Sequence, residues 1–448
     1  MSEQSPESAG PGLRRAVTRW EIVGLSLNDV IGSGVYLLPA AAAALLGPAS
    51  LWAVLLAGFA VMMLVLCFAE AGSHFDEPGS AYVYTREAFG DFVGFEVGWM
   101  TWLARVASVA SLSNGFAQAL TFLWPGAGSG VTRGLVIVIP LVLFAWINVR
   151  GVEYGARLAV GLTIAKILPL LLFVAVGIFA IDWSLVVPGS IGDLLDLPDA
   201  SRLGEAAALL LFAYAGFENT AASAGEFRHP RRDVPFALMT MIMVCTLLYT
   251  AVQLVALGTL PDLAAHVEGA PIADAAALLM GAWAGLMMTA GAAVSIEGNV
   301  GNTMFSGPRY LYALARDGYG PRLLAGVHPR YRTPAAAIVA QLVLAGALAL
   351  SGSFVQLAML SIVARLATYI GTAAAVPVLR RKFAPTEDTV VLPGGPTIPL
   401  LALLLCLAFL ATATVPNLVA GSIGLAAGLV IYRFRRTPDG EARMPRGS

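Results

Sequence analysis

The sequence predicts an all-α integral membrane protein with twelve transmembrane helices. Composition is the first reason: 58% of the 448 residues are hydrophobic and only 12% are charged, whereas soluble domains carry about 25% charged residues. The length of the apolar segments is the second reason, and the position of the basic residues is the third. A helix needs roughly 20 mostly apolar residues to cross about 30 Å of hydrocarbon.

Twelve apolar segments of roughly this length follow one another along the chain. They lie near residues 21–46, 50–72, 92–124, 133–150, 156–181, 203–225, 235–260, 276–313, 334–352, 355–379, 397–414 and 416–433. The polar stretch before the first segment has no cleavage-type signal, so we expect that segment to be retained.

The basic residues predict the orientation of these segments. With the N-terminus in the cytoplasm, most of the 27 Lys and Arg residues fall in cytoplasmic loops, at adjoining helix ends or in the tails. The loops then placed outside, 182–201 and 261–275, are acidic instead. This positive-inside pattern predicts twelve spans with both termini in the cytoplasm, and we expect the inner membrane of a bacterium.

The sequence does not support several other functional classes. Its three cysteines lie in apolar segments, where cysteine acts as a small hydrophobic residue. Its four histidines lie in loops, without metal-binding spacing. Because no nucleotide-binding loop and no pairing of a nucleophile with a base is present, we expect neither an enzyme nor a resident cofactor. Nothing points to a nucleic-acid partner.

Glycines interrupt two of the apolar segments. The first contains "NDVIGSGVYLLPA", residues 28–40, with Gly32, Ser33 and Gly34 near its middle, and the sixth contains Ala215 and Gly216. A dinucleotide fingerprint is excluded because its third glycine is missing, whereas close helix packing through small residues stays an alternative. Paired interruptions in the opening helices of two halves are typical of inverted-repeat transporters.

An interrupted helix offers unpaired peptide groups to a ligand. Free N–H groups at Gly32, Ser33 and Gly34 suit a carboxylate, since a half-helix begins there. Free carbonyl groups at Ile31 and Ala215 suit an ammonium group. Together they match the zwitterionic part of an amino acid, and unpaired backbone at this depth requires a cavity. The aromatic residues Phe212, Tyr214 and Phe217 adjoin the second interruption, and we include them in the predicted site.

Ionisable residues inside spans are functional candidates because they are costly to bury. Seven lie well within the spans: Asp29, Glu96, Arg105, Lys166, Glu218, Glu297 and Arg365. Glu96 lies near the cytoplasmic start of its span, where an interfacial position explains it. Arg105, Glu297 and Arg365 either pair across segments three, eight and ten or line the permeation path.

Lys166 is the most distinctive of these residues. Of the 27 Lys and Arg residues, only Lys166 and Lys382 are lysines. Arginine keeps its proton under usable conditions, whereas a buried lysine can release it. Lys166 therefore suits proton coupling, and the alternative is a lysine that neutralises a carboxylate without titrating.

Four stretches resemble the amino acid–polyamine–organocation (APC) permeases, and the resemblance covers nearly the whole chain. They are "IGSGVYLLPA" (31–40), "PGSAYVYTREAFG" (78–90), "FAYAGFEN" with "AGEFRHPRRDVPFA" (212–219 and 224–237), and the stretch 309–337. The resemblance implies a LeuT-type fold with a five-plus-five inverted repeat and broken helices one and six. Its repeats would span 21–181 and 202–380, with two trailing helices at 397–433 and cytoplasmic tails at 1–20 and 434–448.

The resemblance also implies roles for single residues. Lys166 resembles the fifth-helix lysine that replaces sodium in proton-coupled members, touching carbonyls of segment one and hydroxyls of segment eight. Glu218 resembles a glutamate that shapes gating and proton response, the alternative being a carboxylate hydrogen-bonded to helix ends. Phe212 resembles the aromatic residue that closes over substrate, although packing alone would also explain it. Asp29 departs from the usual pattern and indicates either a cationic substrate or a second titrating group.

These observations predict a secondary-active amino acid transporter, with proton symport favoured and protons as the coupling ion. Exchange of amino acids or amines is the close alternative, and a non-transporting membrane sensor or assembly subunit is a weaker one. "PGAGSG", residues 125–130, contains no cysteine, so we expect no disulfide-linked ancillary subunit. A homo-oligomer stays open.

Overall fold

A computed structural model describes residues 18–75, 80–151, 156–187, 198–222, 230–385 and 389–435. In these residues the chain is all-helical, without strands. Most of the two predicted tails, and all of residues 223–229 in the basic loop, lie outside the described residues.

The α-helices of the described residues are numbered here in chain order. They are α1 (Arg19–Val30), α2 (Gly34–Leu46), α3 (Ser50–Ser73), α4 (Ser80–Phe89), α5 (Asp91–Ala119), α6 (Gly130–Arg150), α7 (Ala156–Gly177), α8 (Trp183–Val186), α9 (Ala200–Tyr214), α10 (Phe217–Ala222), α11 (Pro230–Thr259), α12 (Pro271–Met280), α13 (Ala282–Arg316), α14 (Ala335–Ser351), α15 (Phe354–Lys382), α16 (Thr397–Ala411) and α17 (Val415–Arg433).

Each of the twelve apolar segments coincides with helix. Within the described residues, five stretches are long and apolar enough by length and composition to cross a membrane, the first of them α2 and α3 taken together. One segment differs from the prediction, because 276–313 is divided between α12 and α13. The division lies at Gly281, whose φ of +92° ends α12 and belongs to the left-handed region that glycine tolerates best.

The long helices enclose the interrupted ones. Helix α5 packs along α13 and α15, while α3 packs along α9 and α11. Helix α1 lies against α7, α10 and α11, and α2 lies against α9. On the outside, α6 and α17 expose many large apolar side chains, as expected of a surface that contacts lipid.

Both predicted interruptions are present in the backbone. Helix α1 ends at Val30, Ile31 is extended with ψ at 102°, and α2 begins at Gly34. Helix α9 ends at Tyr214, and Ala215 is extended with ψ at 139° before α10 begins.

The two interruptions lie in direct contact, and glycine makes this contact possible. A Cβ atom on Gly216 would lie 2.6 Å from the carbonyl oxygen of Asp29, and a Cβ on Gly34 would lie 2.5 Å from the Cα of Ala213. Real Cβ atoms essentially never come this close to backbone. Gly216 also has a φ of +126°, which L side chains rarely adopt. The polypeptide therefore needs glycine at 216 for two independent reasons.

Candidate functional site

A small cavity of about 40 Å³ lies between the two interruptions. Its walls come from both interrupted helices and from α5, α13 and α15. The lining residues are Asp29, Val30, Gly32, Ser33, Gly34, Arg105, Ser108, Leu112, Phe212, Ala215, Gly216, Asn219, Asn299, Asn302, Thr303 and Arg365. This volume holds roughly three waters, so an amino acid enters only if the walls move apart.

Unpaired peptide donors face this cavity from the start of α2. Among the described residues, the N–H groups of Gly32, Ser33 and Gly34 donate to no backbone carbonyl. The hydroxyl of Ser33 is fully buried and also has no hydrogen-bond partner in the described part of the chain. A helix N-terminus carries partial positive charge, so this wall suits an anionic oxygen.

The acceptors that face the cavity differ from those that the sequence predicts. The carbonyl of Ile31 is not free, because it accepts hydrogen bonds from the ammonium of Lys166 at 2.9 Å and from the hydroxyl of Ser295 at 3.0 Å. Since a carbonyl oxygen has two lone pairs, Ile31 has no capacity left for a ligand. The residue before it, Val30, lines the cavity instead.

Two residues of the wall, Val30 and Ala215, have carbonyls with unused acceptor capacity. The carbonyl of Val30 accepts one long hydrogen bond, 3.4 Å from the hydroxyl of Tyr249. No described backbone N–H donates to the carbonyl of Ala215. The cavity wall thus has acceptors at Val30 and Ala215 and donors at the start of α2, which suit a cationic and an anionic group respectively.

Lys166 lies behind the first interruption, outside the set of cavity-lining residues. Its side chain is 1% exposed, and its ammonium donates to the carbonyls of Asn28 at 2.8 Å and Ile31 at 2.9 Å. Both carbonyls belong to the C-terminal end of α1, where the helix dipole favours a cation. Ser295 of α13 meets the ammonium indirectly, through the Ile31 carbonyl that both share. Lys166 therefore satisfies the broken end of α1.

Asp29 lines the cavity and is held by asparagines. Its carboxylate accepts from the amide of Asn302 at 2.8 Å and lies within hydrogen-bonding reach of Asn219. Its backbone carbonyl accepts from Asn299 at 3.3 Å. These contacts place a carboxylate beside the acceptors of the two interruptions.

Glu218 forms a buried ion pair with Arg365 of α15. The Glu218 carboxylate also accepts a hydrogen bond of 3.1 Å from the N–H of Gly216. Of the two alternatives for Arg365, a place on the cavity wall fits the structure, and pairing with Glu297 does not. The partner of Arg365 comes from an interrupted helix instead of from α13.

Arg105 also contacts the second interruption. Its guanidinium donates to Asn219 at 2.5 Å and to Ser306 at 3.0 Å, and it lies 4.5 Å from the ring centre of Tyr310. In the part of the chain that the structure describes, Glu297 takes part in no ion pair. The consecutive residues Glu218 and Asn219 therefore anchor α10 to α15 and α5.

Only one of the three predicted aromatic residues lines the cavity. Phe212 does, with its ring 6.0 Å from that of Phe354 in an edge-to-face arrangement. Tyr214 points away, and its hydroxyl donates to the carbonyl of Val54 at 3.4 Å. Phe217 stacks on Tyr369 with a centroid distance of 5.4 Å. Tyr214 and Phe217 therefore lie outside the cavity wall in this structure, because their helical positions turn them into the core.

Several polar residues of the wall were not predicted from the sequence. Asn299, Asn302 and Thr303 come from α13, and Ser108 comes from α5. A signal for two of them exists, since Asn299 and Asn302 are three residues apart and share one helix face. Polar residues with this spacing in an otherwise apolar segment indicate a face that looks into the protein.

Comparison with known proteins finds one family model and several relatives that are all transport proteins. The model of the amino acid permease family matches residues 17–433 of the chain. A methylthioribose transporter of Bacillus subtilis is 28% identical over 96% of this chain and 95% of its own length. A branched-chain amino acid permease of the same organism is 27% identical, over 95% and 94%. A serine/threonine exchanger of Bacillus subtilis is 30% identical over 88% of this chain and 89% of its own length.

Proposed function

The chain belongs to the amino acid permease family, and on that premise we propose that it is a secondary-active transporter of amino acids, coupled to protons by symport. Family membership makes it an integral membrane protein that handles a small molecule, and a transport protein in place of an enzyme. One observation carries the proposal: unpaired peptide groups of two interrupted helices face one cavity.

The proposed architecture is the LeuT type, with twelve spans in the bacterial inner membrane and both termini in the cytoplasm. Residues 21–181 would form the first repeat, 202–380 the second, and 397–433 the two trailing helices. The interruptions support this proposal, since each lies in the opening helix of its repeat. Alternating access would then come from rocking of one helix bundle against the other around the cavity.

The backbone would recognise what all amino acids share. The substrate carboxylate would accept from the N–H groups of Gly32, Ser33 and Gly34. The substrate ammonium would donate to the carbonyls of Val30 and Ala215, with the Asp29 carboxylate nearby. Phe212 would cover the substrate from one side.

Proton coupling would act through Lys166. Its charged form holds the carbonyls of Asn28 and Ile31 at the end of α1. Loss of the proton would remove charge-assisted hydrogen bonds, which are about twice as strong as neutral ones. The position of α1 would thereby depend on the proton, and Glu218 and Asp29 would take part as neighbouring charges. No sodium ion is needed, because the ammonium supplies the cation.

Exchange is the second candidate, because one relative is a serine/threonine exchanger. Uptake of radiolabelled amino acids into proteoliposomes separates the two modes. Symport predicts accumulation in empty vesicles when an inward proton gradient is imposed. If uptake appears only in vesicles preloaded with amino acid, and ignores the gradient, the symport proposal is overturned and exchange is supported. Protein-free vesicles are one control. A protonophore added to the vesicles that carry the proton gradient is the other.

A further inference from the structure

We infer that the cavity selects dicarboxylic amino acids, with the side-chain carboxylate of the substrate bound between Arg105 and Arg365. This inference rests on the proposed function and goes beyond it by naming the substrate class.

Two guanidinium groups at the cavity wall have unused donors. Arg105 is 3% exposed and Arg365 is 7% exposed, and both line the cavity. In the described part of the chain, the Nε of each is buried without a hydrogen-bond partner. A buried polar group without a partner is costly, and oxygen acceptors on a ligand would remove this cost. A carboxylate suits two guanidinium groups best, since it has two acceptor oxygens.

The balance of charge points to the same ligand. Among the described residues, Arg105, Arg365 and Asp29 are the charged groups of the wall, and Lys166 and Glu218 lie directly behind it. Glu218 is committed to Arg365 and to the N–H of Gly216. One positive charge is therefore left over, and a zwitterion does not neutralise it. An amino acid with a negative side chain does, and charges out of water need such compensation.

The other substrate classes fit this wall less well. A branched-chain side chain would cover the two guanidinium donors without bonding them, which costs free energy. A cationic side chain would add a charge of the same sign as the surplus. Asn299, Asn302 and Thr303 add further polar surface, which suits an oxygen-rich ligand. Asp29, which from sequence could favour a cationic substrate, is instead hydrogen-bonded to Asn302.

The test compares acids with their amides, which have nearly the same shape. Purified full-length protein in proteoliposomes is offered radiolabelled L-aspartate, L-asparagine, L-glutamate, L-glutamine, L-leucine and L-arginine. We expect each acid to be taken up with a kcat/KM about 10-fold or more above that of its amide. If leucine, arginine or an amide is transported and the acids are not, the inference is overturned while the proposed function stands. If no amino acid is transported, the proposed function fails, and the inference fails with it.

Variants test whether the guanidinium groups cause the selectivity. Arg105→Gln should lower the acid-to-amide ratio about 10-fold or more. Because Arg365→Gln alone would leave Glu218 unpaired, the double variant Glu218→Gln with Arg365→Gln is used for that residue. A merely structural role would lower the uptake of both substrates alike and leave their ratio unchanged, which would overturn the inference. Arg133→Gln is the matched control: its guanidinium bonds Asn114 at 3.1 Å, outside the cavity wall, and the ratio should not change.

Discussion

The ammonium of Lys166 donates a hydrogen bond of 2.9 Å to the carbonyl oxygen of Ile31, where the first helix is interrupted. This contact links a residue of α7 to the unpaired end of α1, immediately behind the residues that line the cavity. Protonation of Lys166 can therefore affect the backbone that lines the cavity, although the lysine itself does not touch a ligand.

Replacement of Lys166 should separate its structural role from its role in coupling. Lys166→Arg keeps a cation beside α1 but removes a proton that can be released. We expect this variant to fold and to exchange amino acids, but to lose accumulation driven by a pH gradient. Lys166→Ala should lose accumulation as well and should be less stable. Proteoliposome uptake at several external pH values measures the first effect, and thermal unfolding in detergent measures the second.

The matched control is Lys382→Ala, which changes the other lysine of the chain. Lys382 lies at the end of α15, is exposed, and donates to the carbonyl of Glu87 at 2.7 Å. Gradient-driven accumulation should be unchanged there. Unaltered accumulation in Lys166→Arg would show that the proton is carried elsewhere.

Gly216→Ala should destabilise the protein more than Gly346→Ala does. The φ of +126° strains any L residue, which costs about 1–3 kcal/mol, and the new Cβ would meet the Asp29 carbonyl at 2.6 Å. We therefore expect a lower melting temperature and no transport. Gly346→Ala is the control, since a Cβ there meets nothing within 4 Å. Alanine is favoured over glycine in a helix by about 1 kcal/mol, so this variant should melt at the same temperature or higher. Equal melting temperatures for the two variants would contradict the close contact.

The helices and their interruptions were predictable from the sequence because their signals are local. Apolar length marks a helix, and a glycine within two residues of a polar side chain marks the breaks at Gly32 and Gly216. The division at Gly281 also has a local signal, the glycine itself, but the apolar residues on both sides of it obscured that signal. Roles that the APC resemblance implies, such as coupling by Lys166, stay predictions.

The composition of the wall was only partly predictable, because it depends on how each helix is rotated about its axis and on which side chains pair in the folded protein. The backbone is extended at Ile31, so the Val30 carbonyl meets Tyr249 while the Ile31 carbonyl meets Lys166, and Val30 but not Ile31 lines the cavity. The partner of Arg365 is a residue far away in the sequence, and periodicity says nothing about such pairs. Tyr214 and Phe217 lie close to the cavity in sequence but are turned into the core by the helices that carry them.

The buried pair of Glu218 and Arg365 should show strong energetic coupling. Arg365→Met alone leaves the Glu218 carboxylate buried without its cation, a change that typically costs 3–5 kcal/mol. The double variant Glu218→Gln with Arg365→Met removes both charges and should be more stable than Arg365→Met alone. Thermal unfolding of the two single variants and the double variant in one detergent gives the coupling. Additive changes in melting temperature would contradict the ion pair.

Aromatic replacements should distinguish the cavity wall from the core. Phe212→Leu removes ring surface from the cavity and breaks the edge-to-face contact with Phe354. We expect transport with a KM raised about 10-fold and a modest loss of stability, since such ring pairs contribute about 0.5–1.5 kcal/mol. Tyr214→Phe removes only a hydroxyl with a long hydrogen bond to Val54, so its KM should match that of the unmodified protein. Uptake measured over a range of substrate concentrations gives both values. A raised KM in Tyr214→Phe together with an unchanged one in Phe212→Leu would mean that the substrate lies on the other side of α9.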